Sequence, residues 1–387
     1  MLLGGKTVFP ITLSGGPPLT AKDPVTGLNG WTEVAAAGVK MLRVYPPWHA
    51  AEAAQQIQGV QAELVAAAGH GLHLWVGLYR AANNLGNQAL LEQIVDGLKD
   101  SPGLGAWKGA DEPLHGKVPS QGVVAAYDFV HSCDPNHPLV IIQAPRARTG
   151  PLTTALLKPY AAGGDIHGVD IYPISHPPGA HAGRPNKDIS VVGDVTALVV
   201  QAAPGKGHWT TLQIAWSGVL PPSHVPIFPD MRQLRFMAYH AIVAGATGLV
   251  FFGGDLTSVM SPADAASGWN WTFWHTGLKQ LVQELSSPAV VPALVAPPAA
   301  VTVKPNAPDV RVTARTAGGF LYLIAVRRSP TVHGPVGFSG LPAGVTEGQV
   351  LFEYDCGDFR PVKVTRGAFT DPFAPHDAHV YRFPLAT

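Results

Sequence analysis

The fold class predicted is α/β: a (β/α)8 TIM barrel followed by a small all-β domain of β-sandwich type. Three observations lead there. The first two-thirds of the 387 residues repeats one unit: a short β-rich apolar run, a Gly/Pro/Asn loop, then a stretch of helical period. No glycine-rich phosphate fingerprint follows the first run, which argues against a doubly wound open sheet. Near residue 289 the helical runs stop and short alternating segments take over.

In chain order, strands are expected at 7–14, 39–45, 72–79, 105–111, 139–143, 168–172, 209–216 and 248–252. Their spacing of roughly 30 to 40 residues is enough for each crossover to return a parallel neighbour. In the helix expected at 87–99, Leu91, Ile94, Val95 and Leu98 form one apolar face, with Asn87 placed as its cap. The helix at 232–244 repeats the rhythm in Leu234, Met237, Ala238, Ala241 and Ile242, with Asp230 placed to cap it and Gly245 to end it. After PAVVPALVAPPAAV come VTVKP, VRVTARTA, FLYLIAV, QVLFEYD and HVYRF, short strands between Gly, Pro, Asn and Asp. The expected division is therefore 1–288 for the barrel and 289–387 for the sandwich, whose expected role is support or loose carbohydrate contact.

Composition narrows the ligand. Lys+Arg and Asp+Glu both number 26, so the formal charge is zero, and charged residues make up only 13%. A nucleic-acid partner is not expected, because no basic patch or tail appears. No apolar stretch reaches the roughly 18 residues of a membrane span, so no membrane partner is expected either. The opening MLLGGKTVFPITLSGG lacks a charged n-region followed by a long apolar run, so no signal peptide is read; cytoplasmic and exported locations both stay open. Cys133 and Cys356 read as buried thiols. No Cys/His cluster has zinc spacing, so neither metal nor cofactor is expected. A Gly-x-Ser-x-Gly elbow is also missing, against an esterase. Oligomeric state is not legible.

In this fold, chemistry gathers at the C-terminal ends of the strands. Those ends supply Arg43 and Trp48, Tyr79, Asp111 and Glu112, Gln143, Asp170 and Tyr172, Gln213 and Trp216, and Asp255. The most informative segment is Trp107-Lys-Gly-Ala-Asp111-Glu112-Pro113. Two carboxylates end a strand that otherwise reads as buried, and Pro113 stops the ladder. A carboxyl in an apolar, aromatic-walled pocket holds its proton near neutrality and can act as a general acid. The plainer reading is that the two acids cap the next loop.

This fourth strand resembles the Asn-Glu-Pro motif of clan A glycoside hydrolases, a large retaining group built on the (β/α) barrel. The resemblance implies that Glu112 is the acid/base and that Asp111 stands where an Asn binds the sugar 2-hydroxyl. Arg43, in MLRVYPPW, matches the strand-2 arginine of that group, and Tyr172, in GVDIYP, falls where a Tyr or His often stands. LQIAW and RFMAYHAIVAGATGLVFFG look like strand 7, helix 7 and strand 8 of members with a β-domain behind the barrel. The likeness spans the chain in architecture but is specific only in these short segments.

Two positions depart from the pattern. The strand-7 nucleophile, a Glu in that group, is matched by Gln213, whose amide cannot form a glycosyl ester. Asp111 adds a charge beside Glu112 that should raise one of the two pKa values. Asp170 then becomes the first candidate for the second carboxylate, with Asp111 next. Asp170 shares a strand face with Tyr172 and has a plain alternative as a barrel-layer carboxylate paired with Arg43. If the enzyme is active, inversion is expected, with Asp170 reached across a longer gap. Trp48, Trp216, Trp269 and Trp271 are candidate sugar-stacking aromatics, Trp269 and Trp271 foremost, although core packing is the commoner fate of tryptophan. The leading expectation is hydrolysis of an O-glycosidic bond in an oligo- or polysaccharide, with Glu112, Asp170 and Asp111 catalytic and Arg43, Trp48, Tyr79, Tyr172, Gln213, Trp216, Trp269 and Trp271 binding. The alternatives are a carbohydrate-binding barrel without turnover and a lyase on the same fold.

Overall fold

The structure, a computed structural model, describes residues 1–78, 82–83, 85–174, 183–215, 227–353 and 357–385. Eight parallel strands close on themselves: β1 (Ile11–Ser14), β2 (Met41–Val44), β3 (His73–Gly77), β4 (Leu104–Asp111), β5 (Leu139–Gln143), β6 (Ile166–Asp170), β7 (Gly207–Gln213) and β8 (Gly248–Phe252). β8 pairs with β1 from Leu249↔Ile11 to Phe252↔Ser14, which seals the cylinder. Each expected strand is found, displaced by a few residues at its ends. The first is the instructive case. The predicted 7–14 run breaks before Ile11, because Pro10 has no N–H to offer a ladder. Lys6–Thr7 instead folds back on Leu2–Leu3 as an antiparallel hairpin.

Period two sends alternate side chains inward. Met41, Trp75, Ala106, Val140, Ile142, Ile166, Trp209 and Val250 fill the lumen, with Met1 and Leu3 of the hairpin packed beneath them. The barrel is a packed core, and its usable opening is the C-terminal rim.

Helices cover the outside. α1 (Gly30–Ala37) is capped by the Asn29 side chain; α2 (Ala53–Gly69) and α3 (Gln88–Leu98) follow. α3 buries the predicted Leu91, Ile94, Val95 and Leu98. Asn87, expected to cap it, makes no capping bond: it ends a 3-10 turn over Leu85–Asn87, so the chain enters α3 already wound. α4 (Ser120–Cys133), α5 (Val191–Ala202) and α6 (Met231–Val243) complete the larger crossovers. Asp230 and Gln233 form a capping box on α6, and Gly245, at φ 109°, follows its end as predicted. No helix among the described residues is long and apolar enough to cross a membrane.

Beyond the short helix Val291–Val295 the chain forms two antiparallel sheets. One orders Val310–Ala317, Phe320–Arg327, Ala378–Pro384, Glu347–Glu353 and Gly357–Lys363; the other orders Lys304–Pro305, Gly334–Ser339 and Ala368–Phe373. The run FLYLIAV is apolar throughout because both its faces are buried. Leu321, Leu323 and Ala325 meet Val336, Phe338, Phe369 and Phe373 between the sheets. Tyr322, Ile324 and Val326 join the apolar core of the barrel, where α6 packs. Each such large side chain contributes roughly 1.5–3 kcal/mol, so the sandwich is welded to the barrel. Arg235 of α6 shares its Nε–H between the two Glu284 carboxylate oxygens, each at 3.0 Å, and its Nη1 donates to the Ala378 carbonyl.

Candidate active site

At the end of β4 the ladder slips. Lys108 pairs with Val140, but Asp111 pairs with Ile142, so one extra residue bulges out between them. The bulge re-aims the strand's last side chains across the rim. Glu112 then sits at φ 44°, a left-handed conformation that typically costs a non-glycine residue about 1 kcal/mol or more. The neighbourhood holds it there. Glu112 N–H donates to the Ile142 carbonyl at 2.7 Å, Leu114 N–H to Gln143 Oε1 at 3.2 Å, and Gly116 N–H back to the Glu112 carbonyl at 2.8 Å. Gln143, a strand-end residue of the sequence shortlist, is thus a brace for the catalytic-type loop.

β6 brings Asp170 to the same part of the rim, close enough to Glu112 for the two carboxyl groups to interact. Burial pushes the Asp170 carboxyl well above the usual carboxylate range, and the neighbouring Glu112 and Asp111 charges push it further.

Asp111 has the opposite environment. Its Oδ1 lies 2.9 Å from Lys108 Nζ and its Oδ2 3.7 Å from Arg43 Nη2. Burial works to raise its pKa, but the Lys108 and Arg43 charges outweigh burial and hold it below the usual range. The extra negative charge expected to disturb the Asp111–Glu112 pair is therefore neutralised. Lys108 was missed in the sequence. Period two from Ala106 places it inward, and a charge on an otherwise apolar inward face was the available signal.

Arg43 stacks its guanidinium 4.1 Å from the Tyr45 ring and 5.1 Å from Trp75, while Tyr45 and Ser14 hydrogen-bond beside it. Tyr172 is buried, stacked on Phe252 at 5.3 Å, and burial together with the Asp170 charge raises its phenol. Asp255 also reaches the rim. A Cβ on Gly15 would stand 2.1 Å from its Oδ1, so Gly15 is required there by space as well as by its φ of 81°. Burial raises the Asp255 carboxyl, with Arg43 acting against it. Arg43, Tyr45 and Asp255 line a cavity of about 530 Å³ walled by 15–19 and 46–47.

Three binding expectations, Gln213, Trp269 and Trp271, are corrected. Gln213 is fully buried, and its amide is consumed by one partner: Nε2 donates to the Ile174 carbonyl at 2.9 Å and Oε1 accepts from Ile174 N–H at 2.9 Å. It clamps the chain after β6 and, fully buried, does not present its amide at the surface of the rim. Trp269 and Trp271 are 0% and 1% exposed and pack edge to face with centroids 4.9 Å apart; Trp269 Nε1 donates to the Gly15 carbonyl. Trp48 is half-buried and tied by Nε1 to the Gly77 carbonyl at 2.6 Å. The hydrophobic gain of burying an indole exceeds what an exposed ring gains by waiting for ligand. Tyr79, Trp216 and Cys356 lie outside the described residues; Cys133, expected to be buried, is half-buried.

For metals, one group of potential ligands stands out among the described residues: Glu353, Asp371 and His379, in the C-terminal sheets. Arg360 already bridges the two carboxylates, with Nη2 2.7 Å from Glu353 Oε1 and 2.9 Å from Asp371 Oδ2. The set is a filled ion-pair network remote from the barrel rim.

No family model and no curated protein matches the sequence. Solved structures do match in fold. A glycoside hydrolase of family 5 from Bacteroides vulgatus superposes with a TM-score of 0.63 at 13% identity, over 99% of this chain and 91% of that one. A family 30 endoxylanase from Clostridium papyrosolvens gives 0.58 at 11% identity, over 98% and 97%. An α-L-arabinofuranosidase from Thermotoga maritima gives 0.50 at 11%, over 96% and 93%. The chain has the clan A-like (β/α)8 fold with a β-sandwich behind it.

Proposed function

We propose that this protein is a glycoside hydrolase acting on O-glycosidic bonds of a neutral glycan, with Glu112 as general acid/base and Asp170 as the partner that shares its proton. The observation that carries the reading is the cluster of Glu112, Asp170 and Asp111 carboxyls at the barrel rim, with Asp111 held between Lys108 and Arg43 and Arg43 stacked on Tyr45. A retaining pair stands about 5–5.5 Å apart and an inverting pair about 6.5–9.5 Å, and in this reading Asp170, raised by Glu112, serves as its proton-holding neighbour while the second carboxylate lies elsewhere. Asp111, kept ionised by two cations, is a poor base and a good acceptor for a sugar hydroxyl. Asp255, more basic through burial, is the better group to activate water. Arg43 lines the cavity at the rim. In this reading Gln213, held on Ile174, supplies no nucleophile, and the reaction inverts.

The test is a screen of aryl glycosides and neutral polysaccharides, followed by NMR of the first-formed anomer. Retained configuration would overturn the assignment of roles. A second reading, a carbohydrate-binding barrel without turnover, draws support from the engaged Gln213; saturable binding of a glycan that is never cleaved would favour it.

A further inference from the structure

Lys108 has no packing reason to be a lysine. It points into the lumen with Ala106, has no exposed surface, and its lumen neighbours include the apolar Met41, Trp75, Val140 and Ile142. A methionine would fill similar volume without the cost of burying an ammonium ion. All the donors of that ammonium are directed upward, toward the rim. Nζ lies 2.9 Å from Asp111 Oδ1, 2.8 Å from the Ala110 carbonyl and 3.3 Å from the Gly109 carbonyl.

The groups facing it are Asp111 from its own strand, Arg43 from β2 and Asp170 from β6, with Glu112 next to Asp170. The rim thus gathers the carboxyl groups of Asp111, Glu112, Asp170 and Asp255 around the two cations Lys108 and Arg43, and Asp111 is the carboxylate in ion-pair reach of both.

We infer that Lys108 is a positioning residue, a sealed ammonium that fixes the Asp111 carboxylate in place at the rim and keeps it ionised. It touches no substrate and acts through Asp111. This rests on the reading of the rim as a glycosidase site and deepens it: Asp111, pinned by Lys108 from below, is the fixed acceptor for a sugar hydroxyl. Burial brings Lys108 down to about 8, still an ammonium at neutral pH but able to lose its proton in mild alkali.

The experiment is a carbon-13 NMR titration of the full-length protein labelled at the aspartate side-chain carboxyl, with Asp111→Asn and Asp170→Asn giving the assignments. In Lys108→Met the Asp111 midpoint should rise by about one pH unit or more, the size expected for loss of a buried opposite charge. Midpoints of Asp111 and Asp170 that both stay put in a folded variant would overturn the inference. Should Lys108→Met not fold, the unsubstituted protein decides: the Asp111 carbon should show a second step near pH 8 as Lys108 deprotonates, and its absence would overturn it equally. The titration needs no substrate. Midpoints that move in a protein without glycosidase activity uphold Lys108 and sink the proposed function; activity with unmoved midpoints does the reverse.

Discussion

Two of the protein's charge clusters are built on opposite plans. In the C-terminal sheets, carboxylates face cations: Asp371 meets Arg360, His379 and the Tyr381 hydroxyl, and Asp377 meets His379. Burial would raise both aspartates, but hydrogen bonds led by His379 outweigh it and hold them low. Burial would lower His379, yet Asp371 and Asp377 raise it. At the barrel rim, carboxyl faces carboxyl, Asp170 is raised, and the adjoining Glu112 sits in a left-handed conformation. The first plan relieves each buried charge locally. The second leaves a buried carboxyl that holds its proton above the usual range and a backbone under strain, a combination that stability alone does not favour and that marks candidate functional sites.

The comparison breaks most visibly in activity. Glu112→Gln should lower turnover on a confirmed substrate by about 10² to 10⁴-fold while the unfolding midpoint stays put. Survival of activity within a few-fold would remove Glu112 as the acid. Arg360→Leu should do the converse, costing about 3 kcal/mol of stability by stranding the Glu353 and Asp371 carboxylates, with activity per folded molecule unchanged. Urea denaturation paired with active-site titration separates these outcomes.

Gln213→Glu sharpens the contrast at the rim itself. A glutamate keeps the acceptor for Ile174 N–H but turns a carboxylate oxygen toward the Ile174 carbonyl, at a cost of about 1–3 kcal/mol. A variant as stable as the parent that also gains retaining activity would show a vacated nucleophile position in place of a clamp.

The smallest effect has the most informative sign. Asp170, raised in the folded state, favours folding fully below its ordinary value of 3.8 and loses that contribution as pH rises through the folded value. Asp371, lowered, contributes above 3.8 and loses it as pH falls. Asp170→Asn should therefore stabilise the protein at pH 7 by about 1 kcal/mol, a gain that vanishes in acid, below about pH 3.5. Asp371→Asn should destabilise at pH 7, with the loss shrinking in acid. Curves of the same sign for the two variants would erase the distinction between the clusters.

Much of this was readable beforehand because it depends on local periodicity. The lumen–helix alternation, the α6 capping box and the carboxylates closing β4 each rest on residues a few positions apart. Asn87 shows the limit even of local signals, since a 3-10 turn upstream made its cap redundant. The tryptophans show another: Trp269 and Trp271 sit among Gly, Ser and Asn as an exposed loop would, yet the chain after β8 folds them under the rim.

By itself, then, the sequence determined the barrel, the β-domain and the strand ends where chemistry would gather, since hydrophobic period and turn residues act over short distances. What each rim residue does was decided by tertiary structure. Glu112 and Asp170 are 58 residues apart in the chain, Gln213 and Ile174 are 39 apart, and Arg43 reaches Asp111 from two strands away. A carboxyl's proton depends on the charges within a few ångströms of it, and only closure of the cylinder sets which charges those are.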